Sequence, residues 1–548
     1  MSSHSPQSPL QRNGLTRRSA LALGAAAGVS FTAACTAGSA GQSSGDAGGD
    51  APATLLVNTT FVYSTLDPGR AYEQTGYFAL HGLYDALMTF EGDDVSAPVP
   101  HLAQDYATSD DGLVHTFTLR EGVTFSDGTP VTSADVLFSL NRLVNLKGSG
   151  AGFFTGLTFS APDAQTFVVT SQAPATNVST LMAMPASSVV NSAAARAAGA
   201  SDATDADAVD TAQTAFDTAS MGSGPYVLES NDPGNEIVLV PNENYWGEAN
   251  GFERIVVRNT DTQNQKLSIS RSTTAEVSMD LTGSLLDGLP DTLTISSTPD
   301  TYYMLYLSTD PAVSPATSNP QWRAALAAAI DYDGVAALFG EGGQKIAGYI
   351  AQTYPGALPV DEAPSQDLAA ARAALADSGV GDTPVRFIYP AITYRGVDLA
   401  TITTKVQNDA AQAGIVLELT PLAMPAFLEE QRSGNVVMGF TPQALSYPRP
   451  ESLVNQLSPD GTNGKRVRWD ATRVGADEAL AAIGAVNAAT DETAREEALQ
   501  NWQRVMLEVS PFLPLAQNSG TVVSTPAVAD AEYTAAGWLL DLERVAPA

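Results

Sequence analysis

Phe117-Thr118-Leu119-Arg120-Glu121-Gly122-Val123, Phe125-Ser126-Asp127-Gly128-Thr129-Pro130-Val131 and Thr132-Ser133-Ala134-Asp135-Val136 form the stretch on which the fold turns. Leu113, His115, Phe117 and Leu119 alternate along one strand face. Ser109-Asp110-Asp111-Gly112 before them is a turn cluster, and Gly122 and Asp127-Gly128 mark the next two reversals. Thr132 to Asp135 reads as a capping box opening a helix that carries Val136, Phe138, Leu140 and Leu143. Upstream, Leu55-Leu56-Val57-Asn58-Thr59 is a compact strand. Short strands mixed with helices over about 500 residues indicate an α/β or α+β body of two or more domains.

Together with Leu102-Ala103-Gln104-Asp105-Tyr106, this stretch resembles the signature of family 5 extracellular solute-binding proteins, the peptide/nickel-type receptors of ABC importers. Three further segments match in the family's order. Gly222-Ser223-Gly224-Pro225-Tyr226 leads to Asn242-Glu243-Asn244-Tyr245-Trp246-Gly247, Trp322-Arg323-Ala324-Ala325-Leu326 continues to Asp331, and Ala413-Gly414-Ile415 enters a strand through Leu419. The similarity covers about residues 54–520. Most of these residues are structural, with Trp246 and Trp322 expected as packing anchors.

The resemblance implies an α/β, two-lobed periplasmic-binding-protein-like fold (type II, cluster C) with an extra small domain. Lobe I would be discontinuous, from 54–70, 215–305 and 511–548, with the small domain at 71–214 and the opposing lobe at 306–510. Residues Ser192 to Ser220 are expected as a helix plus an acidic surface loop. The implied mechanism is hinge closure around a solute, followed by docking on a membrane permease. Family members line the cleft with four segments, which here supply Tyr63, then Tyr77 and His81, then Tyr302 and Tyr306, then Phe440, Thr441 and Gln443 with Tyr394 and Arg395 nearby. Tyrosine joins apolar area to a polar handle at low entropy cost; Tyr303 is the one most expected to point into a core.

Peptide-binding members carry an aspartate shortly after a Gly-Trp-like pair, where it holds the peptide ammonium. Here Phe440 replaces the tryptophan, and Gly439 to Pro450 contains no acid. A buried ammonium without a counter-charge is costly, so neutral oligosaccharides and other polar small molecules gain ground, with Glu451 a substitute acid if the ligand is a peptide.

The N-terminus points outside the cell. Residues 1–34 hold Arg12, Arg17 and Arg18 and no acid, and an uncharged Ala/Gly-rich run extends from Ala20 to Ala34. That run is too short to span about 30 Å of hydrocarbon and reads as a signal peptide. The twin arginine points to the Tat route, with Sec as the alternative because Ala20 stands where Tat signals favour Phe. Phe31-Thr32-Ala33-Ala34-Cys35 resembles a lipobox, so Cys35, the only cysteine, is expected to carry a lipid that anchors the protein to the outer face of the cytoplasmic membrane. Residues 36–53 then read as a flexible tether with a reach of about 20–25 Å.

Other functions lack parts. Without the three arginines of residues 1–34 the formal charge of −33 becomes −36, which argues against nucleic-acid partners. Gly461-Thr462-Asn463-Gly464-Lys465 lacks the length and the following Ser/Thr of a phosphate loop and reads as a turn. The histidines are His4, His81, His101 and His115, with no i, i+3 or i+4 spacing, so neither a metal site nor a cofactor is expected. No catalytic residues are assigned, since neither Ser–His–Asp nor Cys–His has its parts. A monomeric ABC substrate-binding lipoprotein taking up a peptide, oligosaccharide or similar solute is the leading expectation. The alternatives are a secreted hydrolase or a surface sensory or adhesive protein.

Overall fold

In the computed structural model, which describes residues 53–548 apart from 173, 175, 176, 249, 250, 341, 382, 396, 446, 460 and 490, Thr132 opens the helix Ser133–Asn145. The Asp135 carboxylate accepts from the Thr132 N–H at 3.0 Å and from its hydroxyl at 2.7 Å, as the capping-box reading requires. Val136, Phe138, Leu140 and Leu143 are all buried. The alternating strand is Val114–Leu119, with His115, Phe117 and Leu119 inward. Gly122 and Gly128 at the reversals have φ of 79° and 81°, the region open to glycine. Cys35, the signal-like segment, His4 and residues 36–52 of the tether lie outside the described residues.

A ten-stranded mixed sheet organises the chain. At its middle two long strands, Thr294–Leu307 and Phe512–Ser524, run antiparallel. Fourteen residues of strand rise about 45 Å, long enough to carry the backbone from one half of the sheet to the other. On one side lie Glu276–Ser278, Thr54–Thr59, Arg254–Asn259, Glu236–Pro241 and Tyr226–Asp232; on the other lie Met438–Ala444, Val385–Pro390 and Leu417–Leu422. Alternation splits the long strand Thr294–Leu307 between two cores. Tyr302, Met304 and Tyr306 join the larger cluster, whereas Tyr303, Leu305 and Leu307 join a second one with Trp322 and Phe440. Tyr303 is thus a core residue, as expected. The register of the long pair shifts between Pro299 and Thr301, where proline's missing N–H is tolerated, and Asp300 sits at that shift.

A separate antiparallel sheet of Ala103–Thr108, Val114–Leu119, Thr166–Ser171 and Leu157–Ser160 falls within residues 71–214. The stretch Ser192–Ser220 differs from its expected form. Three short helices, Ser192–Ala197, Ala206–Val209 and Gln213–Phe216, occupy it, and two of its acids bind inward. Asp210 accepts from Arg142 Nε at 2.7 Å, and Asp217 accepts from the Thr65 hydroxyl at 2.6 Å and the Leu66 N–H at 2.7 Å. The composition suggested solvation; the buried Arg142 guanidinium, distant in sequence, overrides it. No helix among the described residues is long and apolar enough to cross a membrane.

Candidate ligand-binding site

Gly439 faces Tyr306 across the pair formed by Met438–Ala444 and Thr294–Leu307. A Cβ at Gly439 would fall 2.2 Å from the Tyr306 ring, so only glycine lets that ring lie over the strand. The buried Tyr306 hydroxyl accepts from Gln431 Nε2 at 2.7 Å, which fixes the helix Met424–Arg432 above the sheet. Beside this contact opens a cavity of about 240 Å³. Thr441, Pro442 and Gln443 of the strand form one wall, with Pro390, Ile392 and Tyr394 next to them. Met424, Phe427, Leu428 and Gln431 close the helical side, and Gln456, Asn463 and Arg466 complete it. Apolar walls with a few placed amides and one cation are the usual make-up of a small-molecule site.

Of the residues expected at the ligand, the fold brings Tyr394, Thr441 and Gln443 to this cavity. Phe440, one step along the strand, points the other way and stacks on Tyr303 at 6.0 Å between centroids. Tyr302 and Tyr77 are buried, each with a hydroxyl that has no hydrogen-bond partner among the described residues. Half-buried Tyr63 donates to Asn231 Oδ1 at 2.7 Å; burial first, then the Asp217 and Asp232 charges, push its phenol up to about 12.

Arg395 takes a bracing role. Its guanidinium meets Asp300 in a two-pronged ion pair, with Nη2 at 2.9 Å from Oδ2, and also donates to the Tyr533 hydroxyl at 3.2 Å. The Thr282 hydroxyl donates to its carbonyl. Arg395 has a φ of 45°, a left-handed conformation that bulky residues adopt only when contacts like these hold them. These bonds tie the Tyr394–Arg395 turn to Thr282, Asp300 and Tyr533, three points far away in sequence. Glu451, the substitute acid, is engaged by Arg449 at 3.3 Å and Arg495 at 3.4 Å.

Two histidines that sequence spacing kept apart share the lining of a separate cavity of about 10 Å³, room for one water. His81 stacks on Trp538 at 4.3 Å, and its Nε2 lies 3.0 Å from Asp541 Oδ1. His101 Nε2 lies 3.1 Å from Asp85 Oδ1 and 3.4 Å from Glu543 Oε1, while Trp246 Nε1 donates to Asp85 Oδ2 at 2.9 Å. Trp246 is thus the anchor expected of it. Ligand atoms of Asp85, His101 and Glu543 all lie within 4.8 Å, a donor set that could hold a divalent cation; as they stand, they satisfy one another as an ion pair.

Burial alone would lower the His101 pKa, but the Glu543 charge and the hydrogen bond and charge of Asp85 raise it well above the ordinary value. A raised folded-state pKa stabilises fully below the unfolded value of about 6.5, and the gain is lost as pH rises through the folded value. His101→Gln is therefore expected to destabilise the protein more at pH 6 than at pH 9.5. Urea midpoints at both pH values check this; an equal loss at both would refute it.

The residues that sequence reading missed are Gln431, Gln456, Asn463 and Arg466. They come from three separate helices, and no local pattern links them. Thr462–Arg466, within the stretch read as a turn, forms one turn of helix. Gly464 there packs so closely that a Cβ would sit 2.4 Å from the Ser458 carbonyl oxygen, a tertiary constraint invisible in the local sequence.

Comparison with known proteins gives this geometry a context. The chain is 26% identical over 469 residues to the probable D,D-dipeptide-binding periplasmic protein DdpA of Escherichia coli (strain K12), covering 83% of this chain and 86% of that one. The ABC transporter substrate-binding protein CtaP of Listeria monocytogenes superposes with a TM-score of 0.77 at 15% identity, covering 90% of this chain and 99% of that one. The Helicobacter pylori periplasmic binding protein DppA, solved with the peptide STSA, gives 0.72 at 20% identity and covers 90% and 98%. These are two-lobed α/β proteins, and the fold here is of that kind. The profile of the bacterial extracellular solute-binding proteins, family 5 Middle, matches residues 97–465. The chain belongs to that family: it is an exported solute-binding component of an ABC transporter that hands small ligands to a permease, and not an enzyme.

Proposed function

We propose that the 240 Å³ cavity beside Met438–Ala444 is where this chain holds its solute, and that short peptides are the first class it takes. The observation that carries this reading is the convergence of Tyr394, Thr441 and Gln443 on one cavity next to the strand pair that links the two halves of the sheet. The similarity to a probable D,D-dipeptide-binding protein favours peptides. Oligosaccharides are the second reading, favoured by the amides of Gln431, Gln443, Gln456 and Asn463.

In this reading lobe I (54–70, 215–305, 511–548) and the opposing lobe (306–510) close on the ligand, with 71–214 as the attached small domain. Tyr394, Thr441 and Gln443 make direct contact. Tyr302, Tyr306, Arg395 and Phe440 hold that wall in place, and Tyr63, Tyr77 and His81 belong to the facing side. The protein works as a monomer, tethered through a lipid on Cys35. Ligand contacts to both lobes exist only when closed, so binding shifts the population toward the closed form.

A thermal-shift screen with di- and tripeptides and with cello-, xylo- and chito-oligosaccharides tests this. A true ligand at 100 times its Kd stabilises by about 2.7 kcal/mol, and a rise in Tm without turnover is expected for at least one peptide. A screen in which neither class raises Tm would end this reading of the cavity.

A further inference from the structure

We propose that Arg466, with Asn463 beside it, makes one wall of the 240 Å³ cavity a subsite for a carboxylate on the transported solute. The proposal rests on the reading that this cavity holds the solute, and it adds the charge that the solute must bring.

Among the described residues Arg466 makes one hydrogen bond, from Nη1 to Asn463 Oδ1 at 2.6 Å, and no carboxylate lies within ion-pair distance. The contrast with other arginines in this acidic chain is plain: Arg142, Arg395, Arg449 and Arg495 each meet one or two carboxylates. Burial pushes the Arg466 guanidinium below its ordinary pKa, and the nearby Arg432 charge adds to this against an opposing pull from Tyr306. A partly buried cation next to a second cation, in a protein rich in spare acids, is held at a cost in stability. Such costs are retained where a ligand supplies the missing charge.

Asn463 gives a second, independent sign. It is buried and lines the same cavity, its Oδ1 is spent on Arg466, and its Nδ2 has no partner among the described residues. The Gln431 amide nitrogen is already given to Tyr306. Arg466 and Asn463 thus present N–H donors that no carboxylate meets among the described residues. A carboxylate has about four lone-pair sites and suits the fork of a guanidinium, so it could take both the Arg466 and the Asn463 N–H groups. Met424, Phe427 and Leu428 also line the cavity and offer only apolar surface. A compact molecule with a carboxylate at one end and an apolar group near it fits this lining. Among the described residues no Asp or Glu lines the cavity.

The probes are N-acetyl-L-leucine and its primary amide, titrated by calorimetry into the wild-type protein and into Arg466→Met and Arg466→Lys. The acid should bind the wild type about 10- to 100-fold more tightly than the amide, the range of a charge-assisted hydrogen bond. Arg466→Met should erase that preference, and Arg466→Lys should keep part of it. Without ligand, Arg466→Met should melt no lower than the wild type, because it removes an uncompensated charge; a merely structural arginine would lower Tm. Acid and amide binding equally, with Arg466→Met changing neither, would overturn the subsite while leaving the cavity as a solute site. Binding of neither probe also overturns the subsite. If the peptide and oligosaccharide screen is blank as well, the reading of the cavity falls with it.

Discussion

Arg142→Leu is expected to lower folding stability by about 3–5 kcal/mol, the cost of leaving buried charge without its partner. Arg142 is 2% exposed, in the last turn of Ser133–Asn145. Its Nη1 and Nη2 each lie 2.6 Å from an Asp67 oxygen, and its Nε lies 2.7 Å from Asp210. Both carboxylates are fully enclosed, so they cannot turn to water when the guanidinium goes. Arg70 also reaches both acids, but it is one cation for two anions. Leucine fills part of the volume and supplies none of the charge.

The loss carries a pH signature. Burial raises the Asp210 pKa, yet hydrogen bonds from Arg142 and the Ser201 N–H outweigh it and hold the carboxyl at about 2. A depressed folded-state pKa contributes stability above the unfolded value of about 3.9, and that contribution disappears as pH falls through about 2. In Arg142→Leu the hold is gone, so the gap between variant and wild type should stay constant near neutral pH and narrow as pH drops from about 4.5 toward 2. Urea midpoints across that range measure it. A gap under about 1 kcal/mol at pH 7 would mean that Arg70 alone neutralises the pair.

Cys35→Ala is expected to move nearly all of the protein from the membrane fraction to the soluble exported fraction. Each buried methylene of an acyl chain contributes about 0.8 kcal/mol, and two chains together make retention durable where one does not. No helix among the described residues is long and apolar enough to cross a membrane, and the net negative charge repels anionic lipid heads. Fractionation with immunoblotting reads the result directly. Membrane retention unchanged from wild type would sink the lipid anchor. Solute binding by the released body should match the wild type, because 18 residues of sequence separate Cys35 from the first strand, Thr54–Thr59.

Local signals in the sequence were legible where a few neighbouring residues do the physical work. The capping box at Thr132–Asp135, the inward alternation of His115, Phe117 and Leu119, and the reversals at Gly122 and Gly128 each depend on atoms within a turn or two. Family resemblance singled out Tyr394, Thr441 and Gln443, and the fold places all three in the lining of one cavity. Arg395 stood in the same segment, but its charge is spent on Asp300 and Tyr533. Nothing in the sequence near Arg395 announces a partner 95 residues upstream.

From sequence alone came the strand and helix punctuation, the family, the export-type N-terminus and the excess of negative charge. These are set by short-range backbone preferences, periodicity and composition, which a linear string records in full. Tertiary structure alone decided which charges are neutralised and which are left waiting. It sent Arg142 to Asp67 and Asp210 and gathered His81 and His101 around Asp85, Asp541 and Glu543. It also put Arg466 in the lining of a cavity that has no acid among the described residues. Pairing energy depends on distance and burial through space, and neither follows from separation along the chain.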